Sequence, residues 1–313
     1  MAKEAKEKKV VEGLAKYNRV GMPANVIFSI IFIVAALCCI VPVIFVIIIS
    51  FTDKGSITRN GFSFFPDSWS LLAYESIFKN SKAIFRSFGV SIMVTIVGTA
   101  IGVMLNAAMG YVLSRRSFKF HKLYTMLVFI PMVFNGGMVA GYMIVTQVLN
   151  LKDTFWSLVL PICVSSFYII IMRTFFQTTV PDALIESGKI DGASQLRIFL
   201  QIVLPISLPA LATVGLFLAF TYWNDWFQAM LYCSGTTSLW PLQYMLIGIE
   251  KSIEFLANNP DMSSMTTTEM LANLPQDGVR MALVVIVVVP IACTYPFFQK
   301  YFISGLTIGA VKG

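Results

Sequence analysis

Residues 181–205, PDALIESGKIDGASQLRIFLQIVLP, lie between two long apolar runs and decide how the rest of the chain is read. The stretch carries Asp182, Glu186, Lys189, Asp191 and Arg197, a charge density that hydrocarbon does not tolerate. It is therefore expected to be an aqueous connection between two membrane spans. Both halves have helical character. Ala183, Leu184, Ser187 and Gly188 suggest a small-residue face, Gly192 interrupts the pattern, and Leu196, Phe199, Leu200 and Val203 recur at helical spacing until Pro205 closes the run. A helix, a glycine corner and a second helix make a knob suited to a socket on another protein.

Outward from this knob the chain is a membrane protein. Its 313 residues are 57% hydrophobic and only 12% charged, with a mean hydropathy of +0.77. The fourth and fifth spans, about 156–176 and 208–232, flank the knob directly. A third, about 123–149, contains Pro131, Asn135, Gly136 and Gly137, residues that predict a kink or a place along an aqueous path. The second, about 87–113, is rich in Gly and Ala and so suits close packing in a bundle interior. The first, about 25–50, is too long for a signal-peptide core and is expected to be retained, with Pro42 accommodated by packing. The sixth spans about 281–298. The expected fold is thus all-α and polytopic: a six-helix transmembrane domain over 24–298, with polar tails at 1–23 and 299–313. Residues 51–84 read as an external segment able to lie on the membrane surface, and 233–280 as a long external loop.

Lys and Arg set the orientation. The tails, the 173–203 segment and the basic turn SRRSFKFHK at 114–122 together hold 15 of them, against 8 in the opposite, longer segments. Both termini and the knob are therefore expected in the cytoplasm, and the chain in a cell membrane as a multi-pass protein. The +7 net charge is spread over membrane flanks rather than a contiguous surface, so no nucleic-acid partner is expected. Cys38, Cys39, Cys163 and Cys293 lie in apolar runs and read as buried small residues, while Cys233 falls near the outer surface. His121 has no ligand cluster around it, and neither a metal nor a catalytic residue is expected.

Glu186-Ser187-Gly188, three residues, Gly192, nine residues, then Ile202-Val203-Leu204-Pro205 resembles the EAA loop of ABC importer permeases, written E-A-A-x3-G-x9-I-x-L-P. Ser and Gly stand where that motif has two alanines, but both are small and the spacing is unbroken. The resemblance implies the type I permease (MetI-like) fold. It also implies that Glu186, Ser187, Gly188, Asp191, Gly192, Ala193, Leu204 and Pro205 couple the chain to an ATPase, with Glu186 paired to a basic residue there. PMVFNGG at 131–137, LKDTFWSLVLP at 151–161, IIIMRTFF at 169–176, YWNDWFQAMLY at 222–232 and the ending FFQKYFISGLTIGAVKG look like the carbohydrate branch of these permeases. They are most similar to importers of oligosaccharides or polysaccharide fragments in Gram-positive bacteria. The implied partners are a second related permease (a heterodimer, although the sequence is also compatible with two copies), two ABC ATPase subunits and an extracellular solute-binding lipoprotein or periplasmic protein. The 233–280 loop is expected to touch the binding protein, and the C-terminal tail either hangs free or inserts between the ATPases.

The residues themselves bear on mechanism. No G-x-x-x-x-G-K-[ST] phosphate loop is present, so ATP and Mg²⁺ belong to a partner and this chain is not itself the ATPase. Tyr222, Trp223, Asn224, Asp225, Trp226 and Phe227 combine aromatic faces that stack on sugar rings with groups that bridge hydroxyls. In a continuous helix Trp223, Trp226 and Phe227 share a side. An interfacial aromatic belt explains the same run, except for Asp225. With Asn135, these residues are the candidate substrate pathway. Two alternatives stay in view: a permease for a non-sugar solute, and a secondary transporter, for which Asp225 is the one candidate ion-coupling group. A membrane enzyme would need paired carboxylates or a metal cluster, and Asp182, Glu186 and Asp191 already fit the loop spacing.

Overall fold

The computed structural model describes residues 22–79, 81–115, 117–134, 136–235, 237–258 and 276–310. The N-terminal tail and the middle of the external loop fall largely outside them. Among the described residues the chain is helical, joined by turns and one isolated bridge between Thr52 and Trp69.

Three helices are long and apolar enough to cross a membrane: α1 (Met22–Ser50), the greater part of α4 (Ser81–Ser114), and the first part of α14 (Gln276–Ala310). Between α1 and α4 lie the short helices α2 (Lys54–Asn60) and α3 (Leu72–Lys79). Three bent pairs complete six spans when each is counted as one. They are α5 (His121–Val133) with α6 (Gly137–Val148), bent by 119°; α7 (Phe155–Cys163) with α8 (Ser166–Thr179), bent by 50°; and α10 (Gln195–Ile206) with α11 (Leu208–Trp223), bent by 84°.

Several expectations are corrected here. The expected third span is a sharp corner rather than a kinked rod: α5 ends at Val133 and α6 begins at Gly137, whose φ of +82° suits glycine. Nothing in the sequence reading anticipated the break in the fourth span. The expected fifth span stops at Trp223, and a separate helix α12 (Phe227–Tyr232) follows. The expected outer loop contains a 17-residue helix, α13 (Leu242–Asn258). At the other end α14 runs on to Ala310, so position 299 marks no change of structure. The cysteines also exchange places. Cys38, Cys39 and Cys293 are exposed because α1 and the later part of α14 stand at the bundle's rim, whereas Cys233 is buried, its carbonyl accepting the Trp240 indole N–H at 3.0 Å.

The Gly-rich α4 is the centre of the bundle. A Cβ on Gly98 would stand 2.4 Å from the Tyr222 ring, one on Gly102 2.9 Å from the Cys163 carbonyl oxygen, and one on Gly110 2.7 Å from Met172 Cβ. Three turns of α4 thus admit the backbones of α7 and α8 and the Tyr222 ring of α11, the close approach that small residues permit in membranes. The resulting core joins Ala107 and Tyr111 of α4 to Leu158, Val159, Met172 and Phe176, to Val214, Leu218 and Tyr222, and to Ile185, Ile198, Phe199 and Val203 of the 181–205 segment. By contrast α1 packs mainly along α14 and is buried only at Ile49 and Ser50.

Candidate functional site

The 181–205 segment folds as two helices and a corner. Asp182–Ile190 forms α9, and α10 follows from Gln195. The corner is set by hydrogen bonds. Gly192 N–H donates to the Lys189 carbonyl at 3.0 Å and Ala193 N–H to the Gly188 carbonyl at 2.9 Å, the paired Schellman closure of a helix C-terminus. That closure requires a left-handed residue, and Gly192 has φ +77°. Ser194 then caps α10, its Oγ accepting the Arg197 N–H at 3.3 Å.

Gly188 acts differently. Its φ is ordinary, but a Cβ there would meet Ile198 Cγ1 and Ile202 Cδ1, each at 3.2 Å. A small residue at the third position of the Glu-Ser-Gly triplet therefore lets α9 lie against α10. The packed face differs from the expected one as a result. Ile185 and Gly188 are buried on α9, while Ala183, Leu184 and Ser187 are exposed. On α10, Ile198, Phe199 and Val203 are buried, and Leu196 and Leu200 stay out at 66% and 42% exposure. The physical reason is the partner set: Gly188 receives Ile198 and Ile202, and the Tyr111 ring receives Phe199 at 5.2 Å.

A joint outside the segment holds it to α4. The Arg115 guanidinium pairs with the Asp182 carboxylate at 2.9 Å, donates to the Phe176 carbonyl at 3.3 Å and to Ser114 Oγ at 2.9 Å, and lies 5.4 Å from the Tyr111 ring centre. Pro205 lacks an N–H, the backbone from Phe199 to Val203 widens into a π-helical turn, and the 84° bend to α11 follows. The knob thus lies across the end of the bundle. The side chains of Glu186, Lys189 and Asp191 are exposed and form no hydrogen bond or ion pair with the described residues, and Ile190 is 85% exposed beside them.

The second candidate group is dispersed. Tyr222 is buried, its hydroxyl donating to the Val159 carbonyl at 2.7 Å. Trp223 is buried edge-on to Phe88 and donates its indole N–H to the Val287 carbonyl at 3.3 Å. Because the helix ends there, Trp223 does not share a helical side with Trp226 and Phe227, which correct to the start of α12. Asn224 Nδ2 donates back to the Phe220 carbonyl at 2.9 Å, and Asp225 Oδ1 accepts the Gln228 N–H at 3.4 Å in the first turn of α12. The break therefore accounts for an acid that a membrane-interface belt does not. Asn135 lies outside the described residues.

Trp223 also lines a cavity of about 400 Å³ between α4, α11 and α14, with Thr95, Thr99, Phe220, Pro290 and Thr294. Its wall is almost wholly apolar, but the buried hydroxyls of Thr95 and Thr99 have no partner among the described residues. Among the described residues no group of three or more His, Cys, Asp or Glu is placed to hold a metal.

Sequence reasoning missed two residues. Arg115 was counted only as a topological charge. Asn106, fully buried on α4, was passed over inside an apolar run, yet its Oδ1 accepts the Ser165 N–H at 3.1 Å and its Nδ2 donates to the carbonyls of Cys163 at 2.8 Å and Gly102 at 2.6 Å. The signal was available: a lone amide among glycines and alanines in a membrane span.

Comparison with known proteins agrees with the arrangement. Residues 98–308 match the family described as the binding-protein-dependent transport system inner membrane component. The chain is 40% identical over 278 residues to the polygalacturonan/rhamnogalacturonan transport system permease protein YtcP of Bacillus subtilis, covering 89% of this chain and 94% of that one. It is 39% identical over 274 residues to Protein LplC of the same organism, covering 88% and 90%. Among solved structures, a chain of a bacterial ABC transporter that imports the acidic polysaccharide alginate superposes with a TM-score of 0.77 at 26% identity. That match covers 91% of this chain and all of the other.

Proposed function

The chain belongs to the family of binding-protein-dependent transport system inner membrane components, and from that premise we propose that it is the permease through which an ATP-driven importer takes up an oligosaccharide. Its relatives are named for polygalacturonan/rhamnogalacturonan and for alginate, so fragments containing acidic sugars are the first substrates to test. In this reading ATP and Mg²⁺ are bound by two separate ATPase subunits, a second related permease completes the pathway, and an extracellular binding protein delivers the sugar. Both termini and the 181–205 knob face the cytoplasm, as the Lys and Arg asymmetry favours.

The observation that carries the proposal is the state of the knob. It is built rigidly, by a Schellman corner at Gly192, a glycine contact at Gly188 and the Arg115–Asp182 pair, yet the side chains of Glu186, Lys189, Asp191 and Ile190 stand exposed without polar partners among the described residues. A rigid element with unspent charge suits a handle that another subunit grips. Closure of the ATPases on the knob would tilt α9 and α10 together, and the joint at Tyr111, Arg115 and Phe176 would pass that motion to α4. Along the membrane path, Trp223 with Thr95 and Thr99 is the reading's candidate contact for sugar, with Asn224, Asp225 and Trp226 following it in the chain at the break after α11.

Purification of the tagged chain from its native membrane tests this. It is expected to bring down an ATPase and a second permease, with ATP hydrolysis stimulated by the binding protein loaded with oligogalacturonate. Isolation without any ATPase, or stimulation by a non-sugar solute alone, overturns it.

A further inference from the structure

We propose that the segment following α1 is a lipid-embedded aromatic anchor, seated in the leaflet at the end of the bundle opposite the knob. The observation is a closed loop with its large rings turned out. Between α2 and α3 the chain holds Phe62, Phe64, Phe65 and Trp69, exposed by 52%, 43%, 87% and 63%.

The loop is not a loose strand that could fold these rings away. Asp53 N–H donates to the Ser68 carbonyl at 3.1 Å and Ser70 N–H to the Phe51 carbonyl at 2.7 Å, so its two ends are tied to each other. Asp53 Oδ2 caps α2 through the Gly55 N–H at 2.8 Å, Gly61 N–H closes that helix on the Ile57 carbonyl at 2.9 Å, and Asp67 N–H reaches Ser56 Oγ at 3.1 Å. The Asn60 amide joins the Asp67 carboxylate. These bonds fix the segment's outline, so the rings between its two ends stay turned outward. Its rings have no place in its own interior.

Depth is set by one backbone pairing and one ring contact. The Trp69 backbone bridges that of Thr52, two residues beyond the end of α1. Phe64 instead folds back onto Phe45, ring centres 4.5 Å apart, five residues before the last residue of α1. At about 1.5 Å per residue this lowers Phe64 by roughly 7 Å along the span. The order is that of a leaflet: Trp69 at headgroup level and Phe64 below it, at the level of the acyl chains. Lys54 and Arg59, both exposed on α2, are placed to meet lipid phosphates. A protein surface has no reason to follow this gradient keyed to the end of a span, so the occupant is lipid rather than the second permease or the binding protein. The inference rests on the chain spanning a membrane and not on the identity of its cargo.

The test places photoreactive p-benzoyl-phenylalanine at position 65, and separately at 62, in the assembled complex in nanodiscs of phosphatidylethanolamine and phosphatidylglycerol. Position 190, equally exposed on the knob, is the control. Retained ATPase activity shows that each probe leaves the complex folded. Phospholipid-mass adducts at 65 and 62, at least tenfold above position 190, are expected. Cross-links from 65 to the second permease or the binding protein, lipid adducts equal to those at 190, or none at either site would overturn the proposal.

Discussion

Two places in this molecule set polar side chains on a fixed backbone, one in the apolar core and one on the exposed knob, and they treat them oppositely. At the bend between α7 and α8, Asn106 spends its amide on three backbone groups, and nothing is left over. On the knob, Glu186, Lys189 and Asp191 spend nothing on the described chain, although the backbone beneath them is fixed by hydrogen bonds. A polar group that satisfies its own chain holds a shape; one presented on a rigid base and left unpaired awaits another molecule. Substitutions should separate the two kinds by what they disturb, folding in the first place and coupling in the second.

The largest effect on stability is expected at the buried clamp. In Asn106→Leu the Ser165 N–H loses its acceptor and the Cys163 carbonyl its donor, deep in the bundle. Two such groups cost roughly 2–4 kcal/mol. Thermal unfolding of the purified complex in detergent should show a fall of several degrees together with reduced yield. A melting temperature unchanged from the parent would show that the bend does not depend on the amide.

The two glycines of the knob give an intermediate effect, and they should part company. At Gly188 the obstacle is space, so Gly188→Ala, meeting only the ends of two isoleucine side chains, is expected to be mild, whereas Gly188→Leu forces α9 and α10 apart at a cost of roughly 1–3 kcal/mol. At Gly192 nothing stands within 4 Å of an added Cβ, and the obstacle is φ +77°. Gly192→Ala should therefore cost about 1 kcal/mol and Gly192→Asn less, since Asn tolerates the left-handed region. Measured by unfolding midpoints, equal responses to Ala at both sites would contradict this division.

These contrasts also mark what the sequence could say. The knob was legible because charge between apolar runs and an unbroken motif spacing are local signals, and the hydrogen bonds that fix Gly192 span only five residues. Which side of each helix would be buried was not legible. That depends on Tyr111 and Gly188 offering surfaces to Phe199 and Ile198, contacts between segments far apart or across a corner. The same reason hid the break at Asn224: no proline marks it, and Trp223 reads as part of a helical side until Phe88 and Val287 are seen to claim it. The small residues of α4 announced close packing but not which helix each would meet: α11 at Gly98, both α7 and α11 at Gly102, and α8 at Gly110.

The smallest structural change and the most informative one is Glu186→Gln. The side chain is exposed and unpaired within the described residues, so loss of its charge should move unfolding by less than about 0.5 kcal/mol. If the knob is the handle, the same change should lower substrate-dependent ATP hydrolysis and uptake by tenfold or more, because a charged group that pairs across an interface leaves its partner's charge stranded when it is removed. The parallel change at Ser187, whose hydroxyl already bonds the Leu184 carbonyl at 3.0 Å, should do much less. Uptake assays on both variants, with melting curves as control, decide the matter. Normal uptake in Glu186→Gln would mean that the unspent charge of the knob is solvated surface, and the contrast with the buried clamp would lose its functional half.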